Sequence, residues 1–86
     1  MEIREIIVKT FEDAFAERRL DPPSPVKDDL ILLQSGLDSL AFATIVTDLD
    51  TELGYDPFIL MEEPVYPRTF GEFTAIYQRF AQHRRQ

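Results

Sequence analysis

The chain is predicted to fold as a small all-α bundle of three main helices and one short helix, with a long first loop. Three stretches repeat apolar residues at the three- and four-residue spacing of an amphipathic helix. No stretch alternates apolar and polar residues between two turn signals, as a half-buried strand does. The 86 residues suit one domain, 1–86, with helices at about 3–17, 39–53, 59–63 and 69–82.

The first helix is predicted from Ile3 to Glu17, because its apolar residues form one stripe at helical spacing. The stripe consists of Ile3, Ile6, Ile7, Thr10, Phe11, Ala14 and Phe15. The opposite side is mostly acidic, whereas a helix on a membrane surface favours basic residues there. The stripe is therefore predicted to belong to the core.

A long connection runs from Arg18 to Leu37. Its segment Asp21-Pro22-Pro23-Ser24-Pro25 cannot be helical, because proline lacks a backbone donor and restricts the residue before it. Loops of this length in a small domain are usually functional or disordered. Several later residues are apolar and predict that much of the connection packs onto the helices: Val26, Leu30, Ile31, Leu32, Leu33 and Leu37.

The second helix is predicted to begin at Ser39, after a turn at Gly36 and an N-cap at Asp38. There the serine hydroxyl would point outward from the partly positive end of the helix, where a phosphate ester is favoured. Gly54 is predicted to end the helix as a C-terminal cap. The predicted core stripe is Phe42, Ile45, Val46, Leu49 and Leu53, and the outward face is Leu40, Thr44, Thr47 and Thr51, with Ala43 nearby.

The C-terminal part predicts a short helix and then a longer one. Residues 59–63 make about one turn before Pro64, too few to form a stable helix alone. Thr69 and Glu72 have the spacing of a capping box at the start of the last helix. The apolar stripe of that helix is predicted to lie in the core: Phe70, Phe73, Ile76, Tyr77 and Phe80.

The net charge is −7, and it is unevenly distributed. The acid-rich stretch from Asp28 to Pro67 has no lysine or arginine. Such a surface repels nucleic acid and anionic membrane and attracts basic partners, unless it serves only to keep the protein soluble. The chain has no cysteine, no run long enough to span a membrane and no apolar leader, so a cytoplasmic protein without stable membrane insertion is expected.

The segment Leu33-Gln34-Ser35-Gly36-Leu37-Asp38-Ser39-Leu40, the helix after it and Leu53-Gly54-Tyr55 resemble the acyl carrier protein family. The resemblance covers nearly the whole chain and implies a bundle whose long first loop delivers the serine. It implies that Ser39 carries 4′-phosphopantetheine, attached from coenzyme A by a phosphopantetheinyl transferase. It also implies a carrier, itself no enzyme and expected to be a monomer, that serves an acyl-activating ligase, acyltransferase or ketosynthase.

The outward face of the second helix departs from that family. Members that serve primary fatty acid synthesis carry several acids there, whereas this chain has mainly threonine and alanine. The resemblance therefore implies a specialised lipid or surface-glycolipid pathway, with aromatic residues of the last helix bordering a space for an acyl chain. The residues expected to contact partners are Asp38, Leu40, Ala43, Thr44, Thr47, Asp48 and Thr51.

Two other classes stay open. A peptidyl-type carrier would hold an aminoacyl group, which the neutral outward face favours, and a helical interaction module would have no prosthetic group. A serine hydrolase is disfavoured, because His83 is the only histidine and Ser39 lacks the flanking glycines of a nucleophile elbow. Metal sites are not predicted, since cysteine is absent and the acids from Asp48 to Glu52 lack the glycine and the last ligand of a calcium loop.

Overall fold

The computed structural model describes residues 2–20 and 26–84. Those residues form four α-helices: α1 (Ile3–Glu17), α2 (Ser39–Leu53), α3 (Pro57–Leu60) and α4 (Phe70–Arg79), with 3₁₀ turns at Leu32–Gln34 and Ala81–His83. The same residues contain no strand, and none of their helices is both long and apolar enough to cross a membrane. The predicted all-α class, with three main helices and one short helix, is confirmed.

The second helix, α2, has the limits that its apolar pattern predicts, and it is capped at both ends. The Asp38 carboxylate accepts a hydrogen bond from the Ala41 amide at 2.8 Å, which satisfies a donor that a helix start leaves unpaired. Gly54 has φ 85°, in the left-handed region that suits glycine, and its amide donates to the Asp50 carbonyl at 2.8 Å. Both ends of the helix that starts at Ser39 are therefore fixed locally.

The short helix α3 spans Pro57–Leu60, so its predicted limits of 59–63 are wrong. The Asp56 carboxylate caps it by accepting from the Phe58 amide at 2.9 Å, and Pro57 takes a first-turn position where its missing donor costs nothing. The backbone becomes extended at Met61, so the helix begins and ends earlier than predicted.

The last helix is shorter than predicted, because α4 ends at Arg79 and a 3₁₀ turn, Ala81–His83, follows it. Thr69 is its N-cap and accepts from the Glu72 amide at 3.1 Å. The Glu72 carboxylate accepts from the Arg68 amide at 2.9 Å, one residue before the amide used in the standard capping box. The predicted capping pair is therefore present with a shifted second bond.

The core lies where α1 packs against α2 and α4. Phe11 is at its centre, with its ring centroid 5.0 Å from that of Phe70, 5.2 Å from Phe73 and 6.3 Å from Phe42, each pair edge-on. Such pairs add to the stabilisation that burial alone provides. The apolar and aromatic residues with no exposed surface are Ile7, Phe11, Phe15, Ala41, Ile45, Leu49, Leu53, Phe70 and Tyr77.

Five side chains predicted for the core are only half-buried: Ile3, Thr10, Phe42, Val46 and Phe80. The four-residue α3 is too short to cover the side of α2 that carries Phe42 and Val46, so these two residues border open space. Ala41, which the predicted stripe does not include, is fully buried instead. The core prediction is therefore wrong for one side of α2.

The long first loop packs against the bundle as predicted, with one exception. Val26, Leu32 and Leu37 are buried, whereas Leu33 is 88% exposed. Backbone hydrogen bonds tie this loop to the start of α4: the Leu32 amide donates to Arg68 at 3.0 Å, and the amides of Phe70 and Gly71 donate to Leu30 and Asp28 at 2.9 and 3.0 Å. The non-helical prediction for residues 21–25 falls outside the described residues.

Candidate functional site around Ser39

The turn before Ser39 is held by hydrogen bonds of its own residues. The Ser35 hydroxyl donates to the Leu32 carbonyl at 2.6 Å and accepts from the Leu37 amide at 3.3 Å. Gly36 has φ 95°, which glycine adopts without strain, and the Leu37 side chain is only 4% exposed. The turn therefore has a buried anchor immediately before the exposed start of α2.

Ser39 is the first residue of α2 and is exposed. Its neighbour Asp38 is occupied by the cap bond to Ala41, and the Ser39 hydroxyl makes no hydrogen bond within the part of the chain that the structure describes. The first-turn amides of a helix carry partial positive charge and favour an anion at this place. The Ser39 oxygen is therefore accessible, unpaired and at the end of a helix that favours a phosphate ester.

An uncharged groove of about 650 Å³ opens between α2, α3 and α4. The α2 residues in its wall begin at Phe42, three residues after Ser39 and so nearly one helical turn away. It is lined by Leu32, Leu33, Phe42, Ala43, Val46, Phe58, Tyr66, Pro67 and Phe73. Aromatic residues of the last helix were expected to border a space for an acyl chain, and Phe73 is the one that lines this groove. Phe58 and the loop residues that complete the wall were not predicted as site residues.

Two residues of the groove wall are almost fully exposed: Leu33 is 88% and Tyr66 is 86% exposed. They lie on different segments, one in the first loop and one between Pro64 and Pro67. Pro64 and Pro67 flank Tyr66 and were the available signal in the sequence that this segment is irregular.

The outward face of α2 is placed as predicted. Leu40 is 70% exposed, Ala43, Thr47, Asp48 and Thr51 are exposed, and Thr44 is half-buried. The threonine hydroxyls donate to helix carbonyls one turn earlier: Thr44 to Leu40 at 3.1 Å, Thr47 to Ala43 at 2.9 Å and Thr51 to Thr47 at 3.2 Å. Since these bonds use the hydroxyl protons, the face presents methyl groups with little charge beside the exposed leucine.

The Asp38 cap can be tested separately from any chemistry at Ser39. Asp38→Ala is expected to lower the free energy of unfolding by about 1 kcal/mol, because the Ala41 amide loses its partner. Asp38→Asn, which keeps an acceptor oxygen, is expected to recover most of this loss. Urea unfolding followed by circular dichroism measures both variants, and equal losses in the two would contradict the capping role.

The structure thus brings together an exposed serine hydroxyl, the N-terminus of a long helix and an uncharged groove close by. Comparison of the chain with protein-family models, with curated proteins and with solved structures gave no match.

Proposed function

We propose that this chain is an acyl carrier protein, with Ser39 as the attachment site for 4′-phosphopantetheine. The observation that carries the proposal is the accessible, unpaired Ser39 hydroxyl within Asp38-Ser39-Leu40, at the start of α2 and near the groove. The residues present fit the group: the helix end favours the phosphate charge, and the groove offers apolar surface to cargo. The resemblance of the sequence to carriers agrees with this geometry.

We expect a phosphopantetheinyl transferase to carry out the attachment, because the described residues place no histidine beside Ser39 and Asp38 serves as the helix cap. The Asp38 carboxylate is engaged by the Ala41 amide, and His83 borders the same small pocket as Asp50 and Gly54, at the far end of α2. That end is roughly 20 Å from Ser39 at 1.5 Å per residue. With the transferase supplying the base, the Ser39 oxygen loses its proton and forms a bond to the phosphorus that carries pantetheine in coenzyme A. The pyrophosphate bond at that phosphorus breaks, so the 4′-phosphopantetheinyl group is transferred to Ser39 and adenosine 3′,5′-bisphosphate leaves.

The attached group would supply a terminal thiol that holds an acyl chain as a thioester, a function that a chain without cysteine lacks. Ser39 would anchor that group, and the groove walls would exclude water from an apolar cargo. Leu40 and the neutral face of α2 would contact the transferase and an acyl-activating ligase, acyltransferase or ketosynthase. Tethering raises the effective concentration of cargo at each partner, and the neutral face favours a specialised lipid or surface-glycolipid pathway.

Intact mass spectrometry after incubation with coenzyme A and a broad-specificity phosphopantetheinyl transferase tests the proposal. The wild type is expected to gain one phosphopantetheinyl group, and Ser39→Ala is expected to gain none. Ser35→Ala is the matched control, because Ser35 lies four residues earlier and its hydroxyl is already bonded to Leu32. An unmodified wild type with several transferases would favour an interaction module, and modification of Ser39→Ala would exclude Ser39 as the site.

An aminoacyl carrier is the second candidate, because the outward face of α2 is neutral rather than acidic at Ala43, Thr44 and Thr47. The groove favours an acyl carrier over an aminoacyl carrier. The ammonium group of an aminoacyl cargo would lose its hydration against the uncharged walls without gaining a partner. Loading the modified chain with decanoyl or with aminoacyl groups and comparing thermal unfolding separates the two, because only a sheltered cargo stabilises the fold.

A further inference from the structure

Leu33 and Tyr66 are the most exposed large side chains in the groove wall. Both line the groove, yet they are 88% and 86% exposed. Single exposed apolar residues are ordinary, but these two large ones border the same uncharged groove. An apolar occupant of the groove would remove surface of both residues from water.

The backbone ties together the two segments that carry these side chains. The isolated antiparallel bridge between Ile31 and Thr69 brings the first loop against the segment that precedes α4, and Leu33 and Tyr66 lie two and three residues from its two ends. The bridge is supported by the hydrogen bond from the Leu32 amide to the Arg68 carbonyl at 3.0 Å, and the Leu32 side chain is buried below it. The backbone under Leu33 is therefore anchored while its side chain stays in solvent.

From this arrangement we infer that Leu33 and Tyr66 close over the alkyl chain of the cargo and determine how well it is shielded from water. The inference rests on the proposed carrier function and assigns to these two residues a role in retaining the cargo. The anchored backbone allows each side chain to turn onto an occupant by rotamer changes alone, without refolding of the loop. Their contact area with the occupant grows with its chain length, so they select long acyl groups over short ones.

Charge identifies the occupant. None of the residues that line the groove is charged, so the lining itself offers an anion no partner. A free carboxylate inside the groove would therefore lose its hydration without gaining a charged partner from the lining. A chain whose carboxyl carbon is used in a thioester has lost that charge, so a tethered, neutral alkyl chain fits the groove best.

The test uses protein loaded at Ser39 with acetyl- or decanoyl-phosphopantetheine from the corresponding coenzyme A thioesters, checked by intact mass. In the wild type the decanoyl form is expected to unfold about 4–8 °C above the acetyl form, the shift that a moderate added interaction gives in a domain of this size. Leu33→Ala and Tyr66→Ala are each expected to remove about half of this difference. Tyr66→Phe, which keeps the ring, is expected to retain it.

Ile59→Ala is the matched control, because Ile59 is 79% exposed and does not line the groove. An equal loss in Ile59→Ala, or full retention of the difference in both Leu33→Ala and Tyr66→Ala, would overturn the inference. The mass spectra measure attachment of the group at Ser39, so they test the carrier function independently of these melting points.

Ligand binding to the unloaded protein provides a second test, which does not depend on modification of Ser39. Methyl decanoate is expected to bind the wild type about tenfold more tightly than decanoate, and Tyr66→Ala is expected to weaken methyl decanoate binding about fivefold. Equal affinity for the ester and the acid would overturn the charge argument. A concentration-dependent dimer of the unloaded chain that Tyr66→Ala dissociates would show that a second copy, rather than an alkyl chain, covers the groove.

Discussion

Phe11→Ala is expected to lower the free energy of unfolding by about 3–5 kcal/mol, the usual cost of removing a fully buried phenylalanine. Phe11 has no exposed surface and is the ring at which α1, α2 and α4 meet, through Phe42, Phe70 and Phe73. Its removal deletes three edge-on contacts together with the apolar area and leaves a cavity that helices from three directions cannot all close. Since a domain of this size is stable by roughly 4–13 kcal/mol in total, the substitution is expected to remove a large share of that stability.

Chemical denaturation with urea, followed by helical circular dichroism, measures this effect. Phe80→Ala is the matched control: the same substitution on a half-buried ring at the edge of the core, where Arg79 lies 4.9 Å from the ring centroid. Its cost is expected to be well under half of that of Phe11→Ala, because the side chain is already partly solvated. Comparable losses in the two variants would mean that Phe11 is not the central contact of the bundle.

The parts of the fold that the sequence predicts correctly depend on local chemistry. Asp38 caps α2, Gly54 ends it in the left-handed region, and Thr69 caps α4, because each of these functions needs only the residue itself and the amides within one turn. The exposed position of Ser39 follows from the same local signals. The Asp56–Pro57 start of α3 is also local, but it was obscured by the apolar run that continues to Met61.

The groove could not be predicted in the same way, because it depends on contacts between distant segments. Leu32 and Leu33 are adjacent leucines in one 3₁₀ turn, yet one is buried and the other is exposed. The bridge to the segment at Arg68 decides which of them faces inward. Similarly, Phe42 and Val46 satisfy the helical periodicity of a core stripe, and only the shortness of α3 leaves them at the edge of open space.

Tyr77 places a hydroxyl group in the core, and helical periodicity could not predict whether that hydroxyl has a hydrogen-bond partner. Its side chain has no exposed surface, and its hydroxyl has no hydrogen-bond partner among the residues that the structure describes. Its carbonyl, in contrast, accepts a buried hydrogen bond from the Tyr55 hydroxyl at 2.6 Å. An unsatisfied buried hydroxyl lowers stability, so Tyr77→Phe is expected to be neutral or stabilising by about 1 kcal/mol at pH 7. Urea unfolding at that pH provides the reference for measurements in alkali.

Above pH 10 the same residue is expected to destabilise the fold. Burial raises the pKa of Tyr77 well above its ordinary value of 10.0, and the nearby Asp56, Tyr55 and Asp50 raise it further. The folded state therefore keeps the proton of Tyr77 in a range where the unfolded state releases it, so stability is intact below pH 10 and falls as the pH rises. Tyr77 alone contributes a loss of about 1.4 kcal/mol per pH unit in that range.

Urea unfolding of the wild type, Tyr77→Phe and Tyr66→Phe between pH 9 and pH 11.5 measures this loss. Tyr77→Phe removes the hydroxyl that the folded state cannot ionise, so its free energy of unfolding is expected to decline less steeply than that of the wild type. Tyr66→Phe removes a hydroxyl from a ring that is 86% exposed and is expected to keep the wild-type slope. Identical slopes for the wild type and Tyr77→Phe would show that the buried hydroxyl reaches solvent in the folded protein and ionises there.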